Sequence, residues 1–347
     1  MSKKELRKYT IAFLYNVRHS YPDPDDPRSQ LEADFDDPGT IEHVMRHLKN
    51  CGCKVLPIEA NEYAYDVLLK NRDKIDLAFN FSEGMYGEDR YAHIPAILEM
   101  LRIPYTGSSP LTQGLVLHKA RMKDMLRSQG VPTPASQLFV TGKEKREPSL
   151  LFPLIVKPVS QGSSAGITQK SVVKNDKELR KQVQKILTLF GQPVLVEPFL
   201  TGKEFSVALL GNPPKALPII EPDHSLLPQD YLPFDSLEVK WVFEEASDLK
   251  YLMCPAKISK KIQNKIESIA FATWNALAIR DWCRIDMKMD ANGAIFVLDV
   301  NSPAGLMPPE ISTTSYFPLA ARAKHIEYEQ LLSMIISIAL KRYGIKK

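Results

Sequence analysis

Two runs of alternating residues near the end of the chain, Cys283-Arg-Ile-Asp-Met-Lys-Met-Asp and Gly293-Ala-Ile-Phe-Val-Leu-Asp-Val-Asn, flank Asn292-Gly293, the preferred dipeptide of a two-residue β-hairpin loop. With that loop Ala291 pairs with Ala294, Asp286 falls opposite Asp299, and Arg284 falls opposite Asn301. Period-two alternation puts all four side chains on one face of the hairpin. Carboxylates directly opposite one another, about 5 Å apart, repel, so the hairpin calls for a cation between them. Asp286, Asp299 and Asn301 offer only oxygen donors, which suits Mg²⁺ better than zinc. The competing reading is a polar face turned to water.

The rest of the chain has to supply a scaffold for this hairpin. Thr10–Tyr15 reads as a first strand. An acidic, Pro-rich loop follows, then a helix from Pro38 to Asn50 closed by Gly52, a strand over Lys54–Ile58, a helix near Tyr63–Lys70 and a strand over Asp76–Asn80. Strand and helix in alternation predict a parallel α/β unit, whose ligands sit beyond the carboxyl ends of the strands, here near Asn16–His19 and Asn80–Asp89. A helix over Pro110–Gln129 is stopped by Gly130, and Val131-Pro-Thr-Pro reads as a hinge.

Beyond the hinge the order changes. Leu154–Lys157, a Gly/Ser turn, Gly166-Ile-Thr, a helix over Asp176–Leu189 and Val194–Glu197 predict a small antiparallel sheet backed by a helix. Phe205–Leu210, a Pro-rich excursion, a helix from Pro255 through Leu277, the hairpin and an amphipathic helix over Ile326–Arg342 make a third unit. The expected domains are therefore 1–110, 111–200 and 201–347.

Composition removes several function classes. The 347 residues carry 45 Lys+Arg against 41 Asp+Glu, a net +4 spread along the chain, so no basic field points to nucleic acid or a membrane surface. The longest apolar stretch, Leu331–Leu340, is short of the ~18 residues of a membrane span, and Met1-Ser-Lys-Lys-Glu lacks the apolar core of a signal peptide, so a cytoplasmic location is expected. Four cysteines are too few and scattered for a disulfide framework, and Cys51-Gly-Cys53 has no second pair at zinc spacing. His43 and His47 are spaced as helical metal ligands are, but Val44 stands where a zinc-protease helix has its Glu, so they read as structural.

Lys157-Pro-Val-Ser-Gln-Gly162-Ser-Ser-Ala-Gly166 contains a formal G-x-S-x-G that would nominate Ser164 as a hydrolase nucleophile. A nucleophile elbow requires strand, sharp turn and helix, whereas a β-like stretch follows Gly166. A Gly/Ser-rich loop after a lysine instead offers backbone N–H groups and hydroxyls to an anion. Neither a Walker A pattern nor G-x-G-x-x-G is present.

Taken together, these residues resemble the ATP-grasp superfamily and, within it, the D-alanine:D-alanine ligase family, from about Asp76 to the C-terminus. Gly87-Glu88-Asp89, Ile94-Pro-Ala-Ile-Leu-Glu and Ile103-Pro-Tyr-Thr-Gly-Ser are similar to the family's first-domain signature. The resemblance implies an ATP-grasp fold of class α/β: a parallel α/β N-terminal domain followed by two antiparallel α+β subdomains that sandwich ATP. It implies that Lys119 and Lys157 are the ATP lysines and that Gly162, Ser163 and Ser164 form the phosphate loop. Glu197, Phe199 and Leu200 would hold adenine with Leu298, and Glu204 the ribose.

Asp286, Asp299 and Asn301 would bind two Mg²⁺, with Mn²⁺ as the alternative. Arg284, Lys240 and the Gly305 N–H would stabilise charge, Ser163 and Trp241 would orient the first amino acid, and Ser315 would hold the acceptor carboxylate, with Glu88 also at the substrate. The implied reaction joins a carboxylate and an amine, both amino-acid-like small molecules, through an acylphosphate, leaving ADP and phosphate. Family habit adds a homodimer, with no nucleic-acid or membrane partner.

Departures cluster on the amino-acid side. Phe234-Asp-Ser-Leu-Glu-Val-Lys240-Trp241 resembles the family's mobile loop F-Y-D-Y-x-A-K-Y with both internal tyrosines lost and Trp241 at the end. Glu83 stands in the place of a family His, Asp34 and Asp36 are the carboxylates nearest the family's N-terminal Glu, and Asn301–Ser315 is longer than usual. These changes predict altered amino-acid substrates. The alternative is an ATP-binding regulatory or scaffold protein that has lost catalysis.

Overall fold

The computed structural model describes residues 3–23, 26–243 and 251–346; Pro24 and Asp25 of the predicted Pro-rich loop lie outside them. Strands β1 (Thr10–Tyr15), β2 (Lys54–Glu59) and β3 (Leu77–Asn80) form a parallel sheet in the order β2-β1-β3. Both faces of this sheet are covered, as a parallel sheet requires. Val44 and Leu48 of the helix Pro38–Asn50 cover one face together with Leu331 and Ile335 of the C-terminal helix Tyr328–Arg342; Leu68 and Leu98 cover the other. The Pro38–Asn50 helix starts where Asp37 accepts a hydrogen bond from the Thr40 N–H (2.9 Å) and ends at Gly52, whose φ of +101° a side chain would resist.

A second, antiparallel sheet has the order β4-β7-β5-β6, from β4 (Gln137–Phe139), β5 (Leu154–Pro158), β6 (Val172–Val173) and β7 (Val194–Pro198). The helix Asp176–Phe190 backs it through Leu179, Val183 and Ile186. A third sheet, also antiparallel, has the order β13-β12-β8-β9, from β8 (Glu204–Leu210), β9 (Lys215–Ala216), β12 (Trp282–Met289) and β13 (Ile295–Asn301), while β10 (Glu221–Pro222) and β11 (Leu252–Met253) form a separate antiparallel pair; the helix Lys260–Ala276 packs on the third sheet through Ile266 and Ala270. The hairpin from the sequence thus forms the edge of a sheet with one face in a core and the other carrying Arg284, Asp286, Asp299 and Asn301.

Four local expectations need correction. The helix predicted over Pro110–Gln129 is two helices, Pro110–Leu117 and Lys119–Ser128, broken at His118. The break lets the Lys119 N–H bond to the Val159 carbonyl (3.0 Å), tying the second helix to the end of β5. Gly166-Ile-Thr is a turn, because Ser171 Oγ accepts from the Thr168 N–H (3.0 Å) and pulls the chain into a 3₁₀ turn over Gln169–Ser171 before β6. The helix expected from Pro255 begins at Lys260, where Ser259 supplies the N-cap to the Ile262 N–H.

The hairpin loop has three residues rather than two. Asp290 pairs with Ala294 across Ala291-Asn292-Gly293, Asp290 Oδ1 accepts from the Asn292 and Ala294 N–H groups (2.9 and 2.8 Å), and Gly293 takes φ +79°. The Asp290 side chain outcompetes the two-residue turn. A one-residue slip follows, pairing Met287 with Val297, until a bulge at Leu298 cancels it.

Candidate active site

Because of that bulge, Asp286 lies opposite Asp299 and Arg284 opposite Asn301. Asp286 is gripped from three sides. Arg284 donates to both its oxygens (Nε to Oδ1 2.9 Å, Nη2 to Oδ2 2.8 Å), the Asn301 amide donates at 2.9 Å, and Ser206, its partner on β8, donates at 2.5 Å. Burial works against its charge, but Arg284, Lys240 and Ser206 together hold the carboxyl below its ordinary range. Asp299 is ion-paired instead to Lys119 Nζ at 3.2 Å. The repulsion read from the sequence is therefore met by two protein cations, Arg284 and Lys119. Among the described residues no three His, Cys, Asp or Glu converge on a metal position. What the face does offer is two carboxylates and the Asn301 amide, whose N–H₂ is committed to Asp286, so that its oxygen remains. Asp299 is 30% exposed, and this set of hard oxygen donors fits Mg²⁺.

A second charge cluster lies behind the first. Lys157, at the end of β5, donates to Glu197 Oε2 (2.9 Å), and Lys123, one helical turn beyond Lys119, pairs with Glu197 Oε1 (2.8 Å). Burial pushes the Glu197 carboxyl up, yet Lys123 and Lys157 overcome it and depress the pKa to about 2. Lys119 donates to the Gln161 carbonyl (2.6 Å) at the start of the glycine loop. Lys123 escaped the sequence reading, although its i+4 spacing from Lys119 put it on the same helix face.

The glycine loop takes left-handed conformations at Ser163 (φ +47°) and Ser164 (φ +60°). An added Cβ on Gly162 would come within 2.2 Å of Asp34 Oδ1, and Asp34 Oδ2 accepts the Gly162 N–H at 3.2 Å. A carboxylate thus already engages the loop amide, as an anion would. Asp34 is held by Arg90 (2.6 Å) and the Tyr91 hydroxyl (3.1 Å). Of the two carboxylates left open by the sequence, Asp34 is the one at the loop. Asp36 is pushed to about 7, by burial first and then by Asp37 and Asp34 against the pull of Arg18. Burial, with Asp34 and Asp36 nearby, raises Glu83 well above its ordinary value.

The loop from Phe234 to Trp241 closes over this region. Leu237 N–H bonds to the Ile167 carbonyl (2.8 Å), Ser164 Oγ donates to the Asp235 carbonyl (3.0 Å), and Trp241 Nε1 donates to the Ser163 carbonyl (3.1 Å). Ser164 therefore bonds to a carbonyl rather than to an imidazole, against the hydrolase reading. Arg18 stacks on both Tyr21 (4.4 Å) and Trp241 (5.0 Å), joining the segment after β1 to the loop. Asp235, in the place of a lost tyrosine, accepts from His224, Tyr251 and Tyr316 (3.1, 2.7 and 2.7 Å). Tyr316 in turn lies under Arg284 (5.1 Å). Lys240 is close enough to act electrostatically on both Asp235 and Asp286.

Phe199 stands edge-on to Phe234 (5.5 Å), Leu298 is the half-buried bulge residue, and Glu204 pairs with Lys288 (2.9 Å). Gly305 is exposed with open space beside it, and Ser315 Oγ accepts the Met307 N–H (3.2 Å), closing the long loop between them. Glu88 is exposed in the turn before Arg90.

The family model for the D-Ala D-Ala ligase C-terminus matches residues 125–337, which contain Lys157, the glycine loop and the whole metal-type face. This chain belongs to the D-alanine:D-alanine ligase family. A D-alanine–D-alanine ligase of Pelotomaculum thermopropionicum is 35% identical over 79% of this chain and 83% of its own length, and one of Marinomonas sp. is 34% identical over 98% and 99%. An uncharacterized protein, y4sG, of Sinorhizobium fredii is 35% identical over 93% and 92%. The fold is that of the D-alanine–D-alanine ligase of Bacillus anthracis in complex with ATP, with a TM-score of 0.72 at 24% identity over 97% of this chain and 99% of that one. As a member of this family the chain is an ATP-dependent ligase. Among the described residues, no helix is long and apolar enough to cross a membrane.

Proposed function

We propose that the protein joins the carboxylate of one amino-acid-like substrate to the amine of another, using ATP and releasing ADP and phosphate. The observation that carries this reading is the contact network that brings Lys119 to Asp299, Lys157 to Glu197, and Arg284 and Asn301 to Asp286. Lys119 and Lys157 would neutralise ATP phosphates, the Gly162–Ser164 amides would cradle them, and Arg284 would meet charge developing on the transferred phosphoryl group. Asp286, Asp299 and Asn301 would hold Mg²⁺, two ions in this reading, which supply charge neutralisation between phosphates when bound.

Lys240 would follow the phosphate as its loop closes, and the Gly305 N–H would face the oxyanion of the tetrahedral intermediate. Trp241 and Ser163 would orient the first substrate with Asp34, and Ser315 would receive the acceptor's carboxylate. The three ranges 1–110, 111–200 and 201–347 would act as the moving bodies, and a homodimer in the cytoplasm is the expected assembly and place.

The relatives' names point to D-alanine for both substrates. The altered loop, with Asp235 and Leu237 replacing tyrosines, and the acidic Asp34, Asp36 and Glu83 group support a different amino acid in at least one position. The test is Mg²⁺-dependent release of ADP and phosphate across a panel of D- and L-amino acid pairs, with mass-spectrometric identification of the product. ATP binding without turnover for every pair would favour the scaffold reading instead.

A further inference from the structure

Lys288 is a lysine only 3% exposed, lying on β12 two residues beyond Asp286 and therefore on the same side of the strand as Arg284 and Asp286. Its ammonium donates to Glu204 Oε2 (2.9 Å) and to the Pro233 carbonyl (2.6 Å), and it stands 5.9 Å from the centroid of the Phe199 ring. A buried ammonium is costly unless its partners are fixed, so a lysine here in place of an apolar residue calls for a use. Two of its three N–H donors are engaged; the third is available, as is the second oxygen of Glu204.

We propose that Lys288 and Glu204 read the ribose of the bound nucleotide as a pair, with Lys288 the residue that makes the site selective for an intact cis-diol. The inference rests on the ATP reading above. A hydroxyl is donor and acceptor at once, so a vicinal diol satisfies a carboxylate oxygen with one O–H and an ammonium N–H with the neighbouring oxygen. Charge agrees with this division. Glu204 and Lys288 cancel one another, which suits an uncharged sugar.

The test is calorimetric binding of MgATP, Mg-2′-deoxy-ATP and Mg-3′-deoxy-ATP to the full-length protein and to Lys288→Met and Lys288→Arg. The native protein should bind ATP at least tenfold more tightly than the weaker deoxynucleotide. Lys288→Met should bring that ratio within threefold, and Lys288→Arg should keep most of it. Should Lys288→Met fail to fold because Glu204 is left unpaired, the double variant Lys288→Met/Glu204→Gln removes both charges and carries the same expectation. An undiminished ratio in the Met variant, or no discrimination by the native protein, overturns the role of Lys288 while leaving the ATP reading intact. Failure of the native protein to bind MgATP at all overturns both.

Discussion

Lys123 and Glu197 form an ion pair at 2.8 Å in which neither side chain is more than 1% exposed. Lys123 also donates to the Val297 carbonyl (3.4 Å) on β13. It acts through Glu197, whose other oxygen holds Lys157, and it also donates to Thr133 Oγ1 (3.0 Å). Lys123→Met is expected to cost about 3–5 kcal/mol of stability, the usual consequence of leaving one charge of a buried pair uncompensated. The variant should also raise the KM for ATP, because Lys157 loses its fixed partner. Chemical denaturation and steady-state kinetics check the two effects, and a variant as stable as the native protein would contradict the network.

Asp299→Asn removes one carboxylate from the metal-type face and the partner of Lys119. The proposed Mg²⁺ role predicts a fall in turnover of roughly 100-fold or more, since a catalytic metal supplies several kcal/mol of charge stabilisation. The Mg²⁺ concentration for half-maximal activity should rise as well. Titrating activity with Mg²⁺ in both proteins measures this, and an unchanged Mg²⁺ dependence would remove Asp299 from the ligand set.

Trp241 ties the Phe234–Trp241 loop to the glycine loop through one hydrogen bond and to the segment after β1 through Arg18. Trp241→Phe keeps the ring but loses the N–H, so its effect should be confined to about 1 kcal/mol, a several-fold rise in KM. Trp241→Ala also loses the stacking and should be distinctly worse. Equal effects from the two variants would mean that the Arg18 contact contributes nothing.

Asp36 supplies a pH signature. Its folded pKa, about 7, is above the value for an unfolded chain, so between about pH 4 and 7 the folded state holds a proton that the unfolded state has released. Stability from this group is therefore greatest at low pH and is lost as pH rises through 7. Asp36→Asn should flatten that decline and raise the Tm at pH 8 by roughly 2 °C or more. Thermal melts from pH 5 to 8 on both proteins decide it; parallel curves would show that Asp36 ionises without cost.

The alternating strands, their polar face and the Asp286, Asp299, Asn301 and Arg284 set could be read from the sequence because strand periodicity is local and absolute. So could the Pro38–Asn50 helix, whose cap, Asp37, and stop, Gly52, are chain neighbours. The pairing of Asp286 with Asp299 was also anticipated, but for an incomplete reason: the loop is one residue longer than Asn-Gly suggests, and only the bulge at Leu298 restores the register. Bulges answer to packing on the partner strand, which no local pattern records.

Three further relationships belong to the tertiary structure alone. Lys123 reaches Glu197 across 74 positions, Asp34 reaches Gly162 across 128, and Lys288 reaches Glu204 across 84. Each joins charges or dipoles whose individual positions in the sequence look like ordinary solvated residues. Their energies depend on burial and on distances of a few ångströms, quantities set by how the three sheets pack rather than by any segment of the chain. The sequence by itself determined which chemistry the chain carries, and the packing decided which charges meet to perform it.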